Sequence, residues 1–237
     1  LLELFTDSFM VRSPDVDERI IPGESPEFAA MRLASAKLEA IIAAGDIPAQ
    51  CVIITADTLV AVEAEILGKP ETRDDAQRMI RLLAGRAHRV ITALALHDGD
   101  AGRTECRAEV TRVSFRSLSD EEIDTYLDSA AWHDKAGAYG VQGPGAVFVE
   151  RVEGNYFNVI GMPLPTLYDM LVVGVVNDRA PDYVFNPATL RDIHELTAYA
   201  KTLHGAAIGR PDDPKAGVIG VDIIAPSTVD NVEQGGL

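Results

Sequence analysis

A chain of 237 residues in which 47% are hydrophobic can form one sizeable domain, or one and part of a second, and is too apolar to stay disordered. Its net charge of −16, from 21 basic and 37 acidic residues, excludes the broad basic face that non-specific nucleic-acid binding needs. It does not exclude a small anionic ligand held by a few lysines and a divalent metal.

No apolar run approaches the roughly 20 residues of a membrane span, and no basic-then-apolar leader is visible. Cys51 and Cys106 lie in apolar, strand-like stretches without metal or redox spacing, and read as reduced core residues of a cytoplasmic protein. Residues 1 to about 176 then alternate helical and extended patterns. Asp15, Asp17 and Glu18 come first, in a proline-bordered loop. Their oxygens suit Mg²⁺, though taken alone the cluster reads first as a solvated acidic loop. Ser25-Pro26 predicts a helix start and Gly45 its end, with Phe28, Met31, Ala34, Leu38 and Ile41 on the buried stripe. Lys37 lies at the edge of that stripe, where its stem can pack while its ammonium reaches a cleft.

Cys51 to Ala56 reads as a strand buried on both faces. Asp57-Thr58 follows at once, apolar Leu59 to Val62 continues the extended pattern, and Leu67-Gly68-Lys69-Pro70 leads into a loop. Thr72 with Asp75 predicts a capped helix that buries Ala76, Met79, Ile80 and Leu83 and stops at Gly85. Val90 to Leu96 and Glu109 to Phe115 read as a hairpin across the Asp98-Gly99 turn. Ser119 with Glu122 opens a helix burying Ile123, Tyr126 and Leu127. Ala146 to Val152 reads as a strand, and Pro163 to about Val173 as a helix.

Four features bear on chemistry. A carboxylate directly after a buried strand is costly unless it has a partner or solvent, and ligand sites gather at the carboxyl ends of strands. Asp57 therefore fits a metal ligand or a proton acceptor, against the plainer reading of a turn or cap. Lys69, between Gly68 and Pro70, can neutralise a phosphate or simply be a solvated loop lysine. The segment Ala136 to Gly145 (AGAYGVQGPG) can lie against phosphates or a base, or be a structural turn; it matches neither common glycine-rich phosphate loop. Gln142 there carries a side-chain amide that both donates and accepts, as reading a base edge requires. The five histidines show no ligand spacing, and no nucleophile elbow appears.

Taken in order, six segments resemble the Maf family of nucleotide pyrophosphatases: Asp15-Val16-Asp17-Glu18, Ala34-Ser35-Ala36-Lys37, Ala56 to Val60 (ADTLV), Leu67-Gly68-Lys69-Pro70, Asp134 to Gly143 (DKAGAYGVQG) and Asn158 to Leu164 (NVIGMPL). They span nearly all of residues 1–171. The resemblance implies an α/β, two-lobed fold similar to the inosine triphosphate pyrophosphatases, with a central mixed sheet and a deep nucleotide cleft. It implies a cytoplasmic, often dimeric enzyme that needs Mg²⁺ or Mn²⁺ and hydrolyses a nucleoside triphosphate to the monophosphate and pyrophosphate. Asp57 matches the proton acceptor, and Glu18, Lys37 and Lys69 match the charged cleft residues. Asp57 and Glu18 would hold the metal, while Thr58 and Gln142 match positions linked to substrate choice. The forms AGAYGVQG and NVIGMP look like the branch acting on dTTP and UTP.

The competing readings are the branch acting on 7-methyl-GTP, and a non-catalytic nucleotide-binding protein connected with septum formation. Family members begin with a strand and a Ser-Pro-Arg-Arg loop that the chain as written lacks, so residues 1–176 are expected to form the family domain without its first strand. The chain as written is accordingly expected to be weakly active or inactive. Residues 177–237 have no counterpart in the family pattern and form an unassigned extension or part of a second domain. A helix over 188–203 and a strand over 217–225 are expected there.

Overall fold

In the computed structural model, which describes residues 1–2, 9–45, 47, 51–171 and 221–222, one sheet organises the chain. Its strands are β1 (Val52–Val62), β2 (Glu65–Leu67), β3 (Ala87–Asp98), β4 (Arg103–Phe115), β5 (Val149–Glu153) and β6 (Val221–Asp222). They run in the order β2-β1-β3-β4-β5, all antiparallel, and β6 adds to β1 in parallel, so the sheet is mixed as expected. The helices are α1 (Pro26–Ala43), α2 (Arg73–Leu83), α3 (Asp120–Asp128), α4 (Tyr156–Ile160) and α5 (Leu164–Asp169).

The helix starts follow their caps. Ser25 accepts from the Phe28 N–H, Thr72 from that of Asp75, and Ser119 and Glu122 close a reciprocal capping box. Each such cap contributes about 1 kcal/mol. The expected inward residues of α2 and α3 are all buried.

Other elements depart from the expectation. In α1 the buried set is Ala29, Ala30, Leu33, Ala34, Lys37, Leu38 and Ile41, whereas Phe28 is exposed. Alanines on the inner face let the helix lie close to the sheet, and the Thr55 hydroxyl donates to the Ala34 carbonyl at 2.7 Å. Lys37, one turn beyond Ala34, lies on that same face and is carried inward. Strand β1 does not end at Ala56. Its ladder with β3 runs unbroken from Val52 to Ala61, so Asp57 sits in mid-strand, opposite Ala93.

Ala146 to Phe148 are not strand but part of a 3-10 turn over Pro144–Phe148, where Pro144 lacks a ladder donor. The short β2 forms a hairpin with the end of β1, just ahead of the loop that Gly68-Lys69-Pro70 enters. Of the last expected helix, the α-helical part ends at Asp169. The boundary near residue 176 and the helix expected over 188–203 lie outside the described residues. Of the strand expected over 217–225, Val221–Asp222 are described and pair with Ile54 and Thr55.

The alternation of β1 and β3 sends odd positions under α1, where Ile53, Leu59, Ala61, Ile91, Ala93 and Ala95 pack on its alanines and leucines. Even positions face the other way and divide between two cores. Val60, Val62 and Val90 join α2 and α3, while Val52, Ile54, Leu94 and Leu96 join α5. Between these cores lie Thr58 and Thr92, directly paired across the strands. A polar pair interrupts the apolar face there, and a pocket opens beside it.

Candidate active site

Four of the residues singled out in the sequence form one chain of ion pairs. Lys37 Nζ lies 2.9 Å from Asp57 Oδ1 and 2.9 Å from Glu18 Oε1, and Glu18 Oε2 lies 3.0 Å from Lys69 Nζ. Asp57 is 5% exposed and Lys37 1%, while Glu18 and Lys69 are more than a third exposed. The cluster thus grades from a buried pair to a solvent-facing one. The second Asp57 oxygen, Oδ2, is buried and has no hydrogen-bond partner among the described residues.

Burial raises the Asp57 carboxyl above its ordinary value, and Lys37 offsets only part of that. Burial also works against the charge on Lys37, but Asp57 and Glu18 together outweigh it and raise the lysine. The two directions are compatible, because Lys37 has two carboxylates in contact whereas Asp57 has one cation, shared with Glu18. For Glu18, partial burial is outweighed by hydrogen bonds from Lys37 and Lys69, and its carboxyl is lowered. The result is a raised carboxyl beside a firmly protonated ammonium, the combination suited to accepting a proton next to an anion.

Asp15 and Asp17 do not join this cluster. Asp15 is exposed, and Asp17 turns outward to Arg19, whose Nε donates to it at 2.8 Å. Among the described residues no group of three or more Asp, Glu, His or Cys side chains gathers in a way that could hold a metal ion. A divalent cation would therefore find two protein carboxylates, Asp57 and Glu18. The unpartnered Asp57 Oδ2 fits that role, since a hard cation takes oxygen donors and completes its shell with water and phosphate.

Thr58 and Gln142 line a pocket of about 390 Å³ on the other face of the sheet, together with Lys69, Ala56, Val60 and the glycine-rich segment. Lys69 belongs to both regions, lining the pocket while pairing with Glu18. The segment after Asp134 is folded against the Lys69 loop by a bond from the Gly137 N–H to the Gly68 carbonyl, 3.0 Å long. Gly137 has φ +68°, and a Cβ there would meet the Val60 side chain at 3.1 Å, so glycine is required. Beneath the segment Tyr139 is buried and bonded to His88 Nε2 at 2.7 Å, while the Tyr126 hydroxyl donates to the Ala138 carbonyl. Burial drives His88 down to about 4, so it is a neutral prop here.

Sequence reasoning passed over two parts of this site. Lys135 lines the pocket, half-buried, with its stem lying across Gly140, where a Cβ would approach Lys135 Cε to 2.8 Å. The second part is Asn158, fully buried beneath Thr92. The signal for Lys135 was its being the lone ammonium in a glycine-rich stretch. Asn158 stood in the last of the six resembling segments, but nothing in its neighbours shows the buried partners that hold it.

Known proteins resemble this chain over most of its described length. The family model described as "Maf-like protein" matches residues 1–173. A dTTP/UTP pyrophosphatase of Syntrophomonas wolfei is 48% identical over 157 residues, covering 66% of this chain and 82% of the relative. One of Carboxydothermus hydrogenoformans is 43% identical over 168 residues, 71% of this chain and 88% of the relative. One of Pyrococcus furiosus is 38% identical over 174 residues, 73% and 88% respectively.

Proposed function

The chain belongs to the Maf-like family, and from that premise we propose that it is a nucleoside triphosphate pyrophosphatase, hydrolysing dTTP and UTP to the monophosphate and pyrophosphate. The observation that carries the residue roles is the continuous Asp57–Lys37–Glu18–Lys69 ion-pair chain leading to the pocket that Thr58 and Gln142 line.

In this reading the base occupies the pocket and the phosphates run past Lys69 toward Asp57. Lys69 neutralises phosphate charge and the charge that builds on the leaving pyrophosphate. Lys37 keeps a fixed positive charge beside the reacting phosphorus, its protonation held by two carboxylates. Asp57 accepts the proton of the attacking water, and its raised carboxyl makes it a better base than an exposed aspartate. Glu18 holds Lys37 and Lys69 at a common spacing. Asp57 and Glu18 would hold Mg²⁺ or Mn²⁺, and the ion would supply charge neutralisation at the phosphates. Gln142 and Thr58 bond the base.

The resemblance to the Maf family supports a cytoplasmic enzyme that can form a homodimer. No described helix is long and apolar enough to cross a membrane. Asp57→Asn preserves shape and removes the base. Pyrophosphate release from dTTP or UTP should fall about 10²–10⁴-fold; an unchanged rate would remove Asp57 from this role.

A further inference from the structure

The buried network beneath the pocket fixes which way the Thr58 hydroxyl points its proton. Asn158 is fully buried, and its amide orientation is settled by its partners. Its Oδ1 accepts from the Thr92 N–H at 3.1 Å, which can only donate. Its Nδ2 donates to the Val90 carbonyl at 2.9 Å, which can only accept, and to the Thr111 hydroxyl at 3.0 Å. Held in this way, Asn158 brings its own backbone carbonyl to 2.9 Å from Thr92 Oγ1.

A carbonyl has no proton, so the Thr92 hydroxyl must donate its single proton there. Thr92 Oγ1 also lies 2.9 Å from Thr58 Oγ1. With its proton already committed, Thr92 can only accept in that bond, and Thr58 must donate. Thr58 therefore has no proton left for the pocket and offers lone pairs alone. Gly161 keeps that side open: at φ +101° it tolerates the turn, and a Cβ there would come within 3.2 Å of Thr58 Oγ1.

We propose that Thr92 and Asn158 are positioning residues that lock Thr58 as an acceptor, and that this acceptor selects pyrimidines bearing an N3–H. The inference rests on the base occupying this pocket, as proposed above. Uracil and thymine carry a proton on N3, which Thr58 accepts. Cytosine presents a bare lone pair on N3, which would face the Thr58 lone pairs. Selection against cytosine thus comes from two acceptors meeting without a proton between them, a cost that a freely rotating hydroxyl would escape.

The test compares kcat/KM for UTP, CTP and N3-methyl-UTP in the full chain and in three variants. Wild type should prefer UTP to both others. Thr92→Val removes the relay, frees Thr58 to donate, and should lower the UTP:CTP ratio about tenfold, mostly by raising CTP turnover. Thr92→Ser retains the hydroxyl and should keep the wild-type ratio, which a merely structural role for the hydroxyl would not distinguish by substrate. Thr58→Val should lose the preference for UTP over N3-methyl-UTP. An unchanged UTP:CTP ratio in folded Thr92→Val overturns the relay. Equal use of UTP and N3-methyl-UTP by wild type overturns the acceptor assignment while leaving the reaction standing. Absence of turnover on every triphosphate, once the family's first strand and Ser-Pro-Arg-Arg loop are joined to the N-terminus, overturns the reading of the reaction, and this inference with it.

Discussion

Replacing Lys37 by methionine keeps the bulk of the stem, removes the charge, and should give a stability loss that depends on pH. Lys37 is 1% exposed and its ammonium is the hydrogen-bond donor to Asp57, at 2.9 Å. Asp57 Oδ2 already has no donor among the described residues, so the variant leaves both oxygens of a buried carboxyl without one. Breaking a buried pair from one side costs about 3–5 kcal/mol. The low end, about 3 kcal/mol, is expected here, because the charge on Lys69 still reaches Asp57 and because the carboxyl can take up a proton. Burial already raises Asp57 despite Lys37, and without Lys37 it rises further.

A carboxyl whose folded pKa exceeds its unfolded one subtracts stability while it is ionised, and the penalty fades as the pH falls through the folded value. The deficit of Lys37→Met should therefore be largest near neutrality and shrink in mild acid. Urea unfolding at about pH 7.5 and about pH 5 measures it. The fluorescence of Trp132, the single tryptophan and nearly buried, reports the transition. Adding Asp57→Asn removes the stranded carboxylate and should recover most of the loss. A Lys37→Met protein as stable as wild type near neutrality, or equally destabilised at both pH values, would refute the assignment of Lys37 as the counter-charge of Asp57.

Three further outcomes are expected. The acid limb of kcat/KM should lie above the ordinary aspartate value of 3.8, with activity lost as the pH falls through the raised Asp57 value, and Lys37→Met should move that limb to still higher pH; a pH-rate profile decides. Chelation should abolish turnover and Mg²⁺ restore it, while Glu18→Gln should raise the Mg²⁺ concentration for half-maximal rate about tenfold and weaken Mn²⁺ binding by calorimetry to match; metal-independent turnover would count against both carboxylates as ligands. Gly137→Ala should cost about 1–3 kcal/mol in urea unfolding and raise KM, because it strains a left-handed backbone and pushes on Val60; unchanged stability would mean the loop does not need glycine there.

The helix boundaries were readable because they depend on local chemistry. Ser25, Thr72 and Ser119 each cap the helix they were expected to cap, and nothing distant alters that. The convergence of Asp57, Lys37, Glu18 and Lys69 was readable through the resemblance and not through any spacing, since Glu18 and Lys69 are 51 residues apart. What escaped was set by packing. The face that α1 buries depends on alanines meeting a threonine from another element, so periodicity placed Phe28 inside and Lys37 at the edge. Asp57 looked like the end of a strand because charge usually ends one; the ladder with β3 and the ammonium of Lys37 carry the strand through it. Asn158 escaped because its value lies in three partners from β3 and β4, which no local pattern displays.

Asp57 and Thr58 are neighbours in the chain, yet the pleat of β1 turns one toward α1 and the other toward the pocket. On the roles proposed above, chemistry and selectivity are separated by a single peptide bond and lie on opposite faces of one strand, with Lys69 reaching both. A lineage can exchange position 58 and its pocket companions to accept a different base while the hydrolytic apparatus one residue away keeps its surroundings. Strand β1 is in this sense a two-sided card, on which a new specificity can be written without erasing the reaction.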